Sequence, residues 1–528
     1  MEVQVSSQTK DKGGRPRWLI PLEIIILVAF LIMAPSLMNS GGDKVSTWLA
    51  GFVPIVGILL AAAVVFTSLP RVKTDPDNPN QLDYLKVDGY RMRRAINWLT
   101  IGLAYAFLYW GRYNLNPAII ALGGESMVKD FHVIFSVGTW VYGLSFLLNG
   151  PLTDWFGGRR AILIGVIGAI AANLAIGVAI GLCADGSLSR DQLFRLMVFL
   201  YAVNMYFQSF GAVAIVKVNS AWFHVRERGV FGAVFGILIA IGIYFAYDVT
   251  SMVLKQTENA VEMAFFVPAA ALTIILIALF AVAKDRPGLA GFKDFDTGDA
   301  TGGKEGQKSD PPVKVFRLML TNPVIMTVAA IEFCSGFIRQ SFMQNFKLFA
   351  KSTGITESFV YEHWGMVLCV AGIIGAVVAG TISDHLFNSE RGPVAAVLYA
   401  FMLVGGIVLC YMLGVPEVGW VVAAMSMLVI GVHGMLSGTF SQDIGGTKNA
   451  GIATGLIDGF VYAGSGTQAA LYAVILPEGA ARADFHNWWT WPAALILPAF
   501  IGLVLSYKVR HARRDLDASK KAAAAKIS

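Results

Sequence analysis

GPLTDWFGGRR, residues 150–160, closes one long apolar run and opens the next, and GTISDHLFNSERG, residues 380–392, does the same 230 residues later. Each stretch carries one aspartate, Asp154 or Asp384, followed by arginine: Arg159 and Arg160 in the first copy, Arg391 in the second. A carboxylate near a helix start, with basic neighbours, makes a charge-assisted latch between helices that must part. Those five residues are therefore candidate gating residues. The same marks in the same order within apolar sequence predict a duplicated helical bundle.

Windows of about 20 apolar residues, the length of one crossing, give the rest of the architecture. Six spans are expected near 95–116, 131–151, 160–183, 193–217, 228–254 and 261–283, and six more near 322–348, 362–383, 393–413, 418–440, 449–475 and 488–507. Two apolar runs precede them, at 18–38 and 48–69, so the total is about fourteen. The first of these follows a basic stretch and is long enough to span, which favours a retained helix over a cleaved signal. The expected fold is an all-α polytopic membrane protein: two six-helix halves, 93–284 and 321–510, plus two extra N-terminal transmembrane helices in an extension, 1–92. A Gly-, Asp-, Lys- and Pro-rich segment, 285–320, reads as a flexible cytoplasmic linker, and 511–528 as a basic tail. Basic clusters at the N-terminus, at 71–94, at 159–160, at 226–228, in the linker and in the tail put both termini and the linker in the cytoplasm.

Composition agrees. Of 528 residues, 56% are hydrophobic and 14% charged, and the mean hydropathy is +0.62. A soluble core cannot absorb so much apolar surface. The net charge of +6 lies in short segments between spans, which orients the chain in the bilayer rather than pointing to nucleic acid. Cys183, Cys334, Cys369 and Cys410 form no CxxC pair, so neither a metal site nor a disulfide framework is expected. There is no P-loop, no G-x-S-x-G elbow and no His/Cys cluster. The sequence therefore predicts a non-enzyme without cofactor, driven by ion or solute gradients.

Within the apolar runs a few residues are out of place. Arg112 lies inside 99–115 and Arg339 inside 324–346, 42 residues before Asp154 and 45 before Asp384. A guanidinium keeps its charge, and even lenient insertion scales set its mid-bilayer cost at about 2.5–3.5 kcal/mol. Each must face a wet cavity, a partner or an anion, and its fork of donors suits phosphate or carboxylate. Glu332 sits two turns before Arg339, about 10 Å by helix rise. Asp458 reads either as a packing carboxylate or as a proton-coupling group; Glu332 competes for that role. His433, in VIGVHGMLSG, is a core histidine or a pH switch. Tyr113, Tyr142 and Tyr462 are packing aromatics or donors to an oxyanion. Lys217 is expected to snorkel at its helix end, and Asp248 to be solvated near the outer end of its helix.

The loop at 150–160 resembles the signature of the major facilitator superfamily, Gly-x-x-x-Asp-(Arg/Lys)-x-Gly-(Arg/Lys)-(Arg/Lys), with Trp155 replacing a basic residue. The resemblance covers roughly 95–510. YWGRYNLNPAI (109–119), AWFHVRERG (221–229), KDRPGLAGF (284–292), GFIRQSF (336–342) and TISDHLFNSERG (381–392) resemble the organophosphate:phosphate antiporter family within it. That resemblance implies that Arg112 and Arg339 bind phosphate, with Tyr113 and Asn114 beside Arg112 where the family has a basic residue and an asparagine. By motif-anchored alignment Phe146, Ile239 and Cys369 stand where the glycerol-3-phosphate branch has a lysine, a histidine and a glutamate. The clamp is kept and its surroundings are rewritten. The expectation is a monomeric secondary transporter in the plasma (inner) membrane that moves an organic phosphate or small carboxylate by alternating access, with phosphate as counter-anion or with a proton. The alternatives are a transporter-like membrane sensor of an anionic metabolite and a proton-coupled exporter. The absence of a Gly-Pro signature in the fifth core span counts against a multidrug exporter.

Overall fold

Among the residues that the computed structural model describes (83–224, 238–297, 312–386 and 391–525, without the side chains of 376–378, 380–391, 437–451 and 510–525), every regular element is helical. They belong to one compact unit. The apolar runs at 18–38 and 48–69 lie outside the described residues.

Helices occupy each of the twelve expected core positions. The first six are α1 (Tyr90–Tyr113) continued by α2 (Leu115–Leu122), α3 (Met127–Phe156), α4 (Gly158–Ala184), α5 (Arg190–Trp222), α6 (Leu238–Gln256) and α7 (Met263–Val282). After α8 (Pro312–Thr321) come α9 (Pro323–Thr353), the short α10 (Phe359–Glu362), α11 (Trp364–Leu386), α12 (Arg391–Met412), α13 (Val418–His433), α14 (Phe440–Ile475) and α15 (Thr490–Ala525). Local chemistry sets the boundaries. Ser189 and Gln192 form a reciprocal capping box at the start of α5. Asn322 caps α9 by accepting from the amides of Val324 and Ile325, with Pro323 in the first turn, where its missing N–H costs nothing. Pro117 cannot donate to the Tyr113 carbonyl four residues back, and the chain breaks between α1 and α2 at Asn114.

Eight described helices are long and apolar enough to cross a membrane, or nine if α8 and α9, bent by 81°, count as one span. The helix that carries Arg112 is not among them, and the one that carries Arg339 enters only through that bent pair. Helices that line a polar site are less apolar than those that face lipid. Position in the bundle follows the same division. The apolar window of α6 is 83% buried, whereas those of α7, α12 and α15 are 33%, 39% and 28% buried and present their remaining surface to lipid.

The most extensive helix pair is α3 with α14, which joins the N-terminal six helices to the C-terminal six. Glycine makes this approach possible. A methyl on Gly143 would come to 3.0 Å from the Gly459 carbonyl oxygen, and one on Gly455 to 2.8 Å from that of Phe146. Between α9 and α14 the backbones come closer still, at Gly336 against Val461 and Gly464 against Phe333.

Several expectations need correcting. The segment at 284–297 is not a flexible linker. Phe295 stacks on Tyr84 at 3.6 Å, Phe292 meets Tyr90 edge-on, and the Asp285 carboxylate accepts from the Arg159 amide at 2.6 Å. Its two phenylalanines supply an apolar face that the Gly- and Asp-rich composition masks. Beyond residues 298–311, which lie outside the described residues, α8 packs Val315 and Met319 against Ile325, Ile452 and Leu456. The loop expected near 441–448 is helical in the backbone: a π-helical turn, Gly434–Thr439, leads directly into α14. Lys217 does not snorkel free; its Nζ lies 2.7 Å from Asp154 Oδ1. Asp248 is not solvated. It sits, 5% exposed, in a π-helical turn of α6 (Phe245–Val249), which shifts the side-chain register that α-helical spacing would give. Its two oxygens accept from the amides of Gly365 and Met366, each at 2.8 Å, and so cap α11.

Candidate functional site

Arg112 lies in the last turn of α1 with no exposed surface. All its donor nitrogens are engaged, each at 2.8 Å: Nε donates to Gln208 Oε1 on α5, Nη1 to the Tyr462 hydroxyl on α14, and Nη2 to the Tyr142 hydroxyl on α3. The guanidinium also lies over the rings of Tyr142 and Tyr109, 4.3 and 4.7 Å from their centroids. The backbone behind it is held as firmly. Tyr201 donates to the Arg112 carbonyl, and Asn173 and Asn204 to that of Gly111.

Arg339, on α9, is 5% exposed. Its Nε and Nη2 are buried and have no hydrogen-bond partner. The Tyr462 ring joins the two arginines, with Arg112 at 5.7 Å and Arg339 at 5.9 Å from its centroid. Buried donors without acceptors are costly, of order 1–3 kcal/mol each and more when charged. The site thus holds two buried guanidinium groups, one bonded to tyrosine hydroxyls and one with open donors.

Tyr113 also reaches this region: its hydroxyl accepts from Gln340 Nε2 on α9 at 2.8 Å. Asn114 does not. Its amide donates to Asn173 Oδ1 and the Ala264 carbonyl, which ties α1 to α4 and α7. Of the three coupling candidates, Glu332 and His433 are brought together, with Oε2 and Nδ1 2.8 Å apart. Asp458 is half-buried on α14, within electrostatic range of Glu332. Among the gating candidates Asp154 pairs with Lys217, and the Arg159 side chain donates to the Phe280 carbonyl. Arg160 is exposed. The side chains of Asp384 and Arg391 lie outside the described residues.

The sequence reading passed over Gln208, Tyr109, Gln340 and Gln468. Gln208, with Asn204 one turn before it, is a polar amide in an apolar run, the same kind of anomaly that exposed the arginines. Gln468 on α14 is fully buried, and neither its Oε1 nor its Nε2 has a partner. The N- and C-terminal six helices are further joined through the 123–130 and 476–490 connections and the helix ends beside them. His132 Nε2 meets Asn345 Oδ1 at 2.8 Å, Asn116 donates to the Gln344 carbonyl, Arg482 to that of Gly124, and Glu478 accepts from the Lys129 amide.

Two long-separated buried arginines face one tyrosine between two duplicated helix sets, and residues 101–469 match the sequence profile of the Major Facilitator Superfamily. The chain belongs to that superfamily. As a superfamily member it is a multi-pass membrane protein, and its relatives fall where the motifs pointed, among proteins of the organophosphate:phosphate antiporter type. It is 26% identical over 411 residues to the Membrane sensor protein UhpC of Escherichia coli (strain K12), covering 75% of this chain and 89% of that protein. It is 24% identical over 404 residues to the Glycerol-3-phosphate transporter of Bacillus subtilis (strain 168), covering 73% and 86%. It is 22% identical over 444 residues to a Probable hexose phosphate transport protein of Chlamydia trachomatis, covering 79% and 91%.

Proposed function

We propose that the chain is a secondary transporter of a small organic anion, a phosphate monoester such as glycerol-3-phosphate or a sugar phosphate, or a small carboxylate. The observation that carries this reading is Arg339: a buried guanidinium with two donors unpartnered, beside a second arginine and a shared tyrosine. An anion oxygen on Arg339 satisfies donors that the protein leaves open. Arg112 completes the clamp when the hydroxyls of Tyr142 and Tyr462 turn from it, and Tyr113 lies close enough to contribute. The two six-helix halves then rock about the site, with Asp154, Arg159, Arg160, Asp384 and Arg391 as the latching residues at the helix ends. The protein sits in the inner membrane as a monomer with both termini cytoplasmic. The runs at 18–38 and 48–69 bring the spans to about fourteen. Charge compensation comes from a counter-anion such as phosphate or from a proton, and Glu332, His433 and Asp458 are the candidates to carry the proton.

Counterflow in proteoliposomes tests this. Purified protein preloaded with unlabelled glycerol-3-phosphate should accumulate the labelled ester, and Arg339→Ala or Arg112→Ala should abolish accumulation while the protein remains inserted. Normal uptake by either variant ends the clamp reading. A second reading, a membrane sensor, is favoured by the UhpC relative. It predicts that the probe binds and is not moved.

A further inference from the structure

Arg112 and Arg339 bring two positive charges, and Glu332 and Asp458, when ionised, would balance them before any anion arrives. An incoming anion leaves an excess of negative charge among groups that are wholly or largely out of water, and such an excess is strongly disfavoured. Something must take up a proton or release charge with it.

One pair is built for this. Glu332 is fully buried and its Oε1 has no partner, while Oε2 lies 2.8 Å from Nδ1 of His433 on α13. A carboxyl oxygen and a ring nitrogen at that distance share a hydrogen. Either Nδ1–H donates to an ionised carboxylate, or the pair holds one proton more and is neutral overall, and the heavy atoms need not move between the two states. The His433 side chain keeps 19% of its surface exposed against none for Glu332, so of the two the imidazole is the member open to its surroundings. Among the described residues, the charged and titratable groups facing the pair lie on three helices. These are Arg339 and Cys334 on its own helix, Asp458 on α14, and Tyr399 on α12, whose hydroxyl donates to the Ile331 carbonyl. Arg339 faces both members, so its occupancy is felt by the pair directly.

We propose that Glu332 and His433 form a proton-binding site linked to anion occupancy of Arg339 and Arg112, so that the chain carries one proton together with its anion. The inference rests on the transporter reading and specifies its coupling. The proton enters from water by way of His433, resides on the Glu332–His433 pair while the anion holds the arginines, and leaves on the other side when the anion does. Linkage is reciprocal: the anion raises proton affinity, and the proton raises anion affinity by the same factor.

The test is calorimetric binding of glycerol-3-phosphate to the purified full chain in two buffers of different ionisation enthalpy, with Glu332→Gln, His433→Asn and Asp458→Asn alongside. The ester's own second ionisation, at about pH 6, is common to all four proteins. Wild type should take up about one proton per ester more than Glu332→Gln or His433→Asn, and its affinity should fall about tenfold per pH unit on the alkaline side. In the two variants that pH dependence should vanish. In proteoliposomes an acid-outside gradient should drive accumulation by wild type and by neither variant. The two substitutions guard against one that fails to fold. Equal proton uptake by wild type and both variants overturns the inference and leaves the transporter reading standing. Loss of the extra proton in Asp458→Asn alone overturns it too, and moves the site to Asp458. No binding of the ester by wild type overturns the transporter reading and the inference together.

Discussion

Arg112 and Arg339 occupy matching places in the repeat, yet their surroundings are opposite. Arg112 has a partner for every donor nitrogen, drawn from α3, α5 and α14, and two aromatic faces as well. Arg339 has an orphaned Nε and Nη2 at nearly equal burial. A fully bonded buried guanidinium is held by the protein's own groups, whereas one with open donors can take a ligand oxygen without breaking a bond. Matching sequence positions therefore do not give matching environments. In the proposed transport reading this difference orders the events: the anion would meet Arg339 first, and Arg112 would join by exchanging tyrosine hydroxyls for ligand oxygens, with Tyr462 beside both.

The largest effect should fall on ligand binding. Arg339→Met removes the open arm and should weaken glycerol-3-phosphate binding by about 2–5 kcal/mol, roughly 30- to 4,000-fold. Arg339→Lys should recover little, since an ammonium lacks the planar fork. Titration calorimetry measures both. A lysine variant that binds within a few-fold of wild type would show that Arg339 acts as a point charge and would remove the basis for the ordering.

A smaller effect should separate the arginines without ligand. Arg112→Met strands Gln208 Oε1 in a buried site and deprives the Tyr142 and Tyr462 hydroxyls of their donor, about 1–3 kcal/mol for a group left unpaired. Arg339→Met removes a buried charge with two unmet donors, and replacing such a group by a packed apolar side chain is often neutral or stabilising. Thermal unfolding in detergent should therefore show a lower midpoint for Arg112→Met and an unchanged or higher one for Arg339→Met. Equal losses would break the comparison.

Much of this was legible in the sequence, for identifiable reasons. A charge in an apolar run is conspicuous in any alignment-free reading, so Arg112, Arg339, Glu332, Asp458 and His433 stood out, and the repeat gave the arginines a common depth. What stayed hidden was facing. Spacing could not say that Glu332 meets His433 across two helices, 101 residues away, or that Asn114 turns toward α4 and α7. The folded start of the linker was masked by composition: 284–297 is rich in Gly, Asp and Lys, while Phe292 and Phe295 do the packing. Gln208 and Gln468 were missed because a neutral amide in a helix looks unremarkable until its partners, or their absence, are seen.

Asp248 extends the comparison to a third buried ion and should show the smallest effect. Like Arg112 it is fully engaged, but with backbone: both oxygens accept from the first amides of α11, so one carboxylate on α6 caps a helix of the C-terminal six. Spacing placed it in water because α-helical periodicity was carried through a turn that is π-helical. Lys347, 5% exposed and donating to Ser251 Oγ at 3.4 Å, supplies a neighbouring positive charge. Asp248→Ala removes a cap, worth about 0.5–2 kcal/mol, and strands two amides at a helix end that keeps its own dipole. Asp248→Asn keeps an acceptor and should lose only part of that. The unfolding midpoint should therefore fall in the order wild type, Asp248→Asn, Asp248→Ala, with the alanine variant still above Arg112→Met. Because this cap joins the two helix sets at a distance from the arginines, ester binding should change far less than in any arginine variant. An Asp248→Ala protein less stable than Arg112→Met would show that the junction between the helix sets, rather than the bonded arginine, holds the resting structure together.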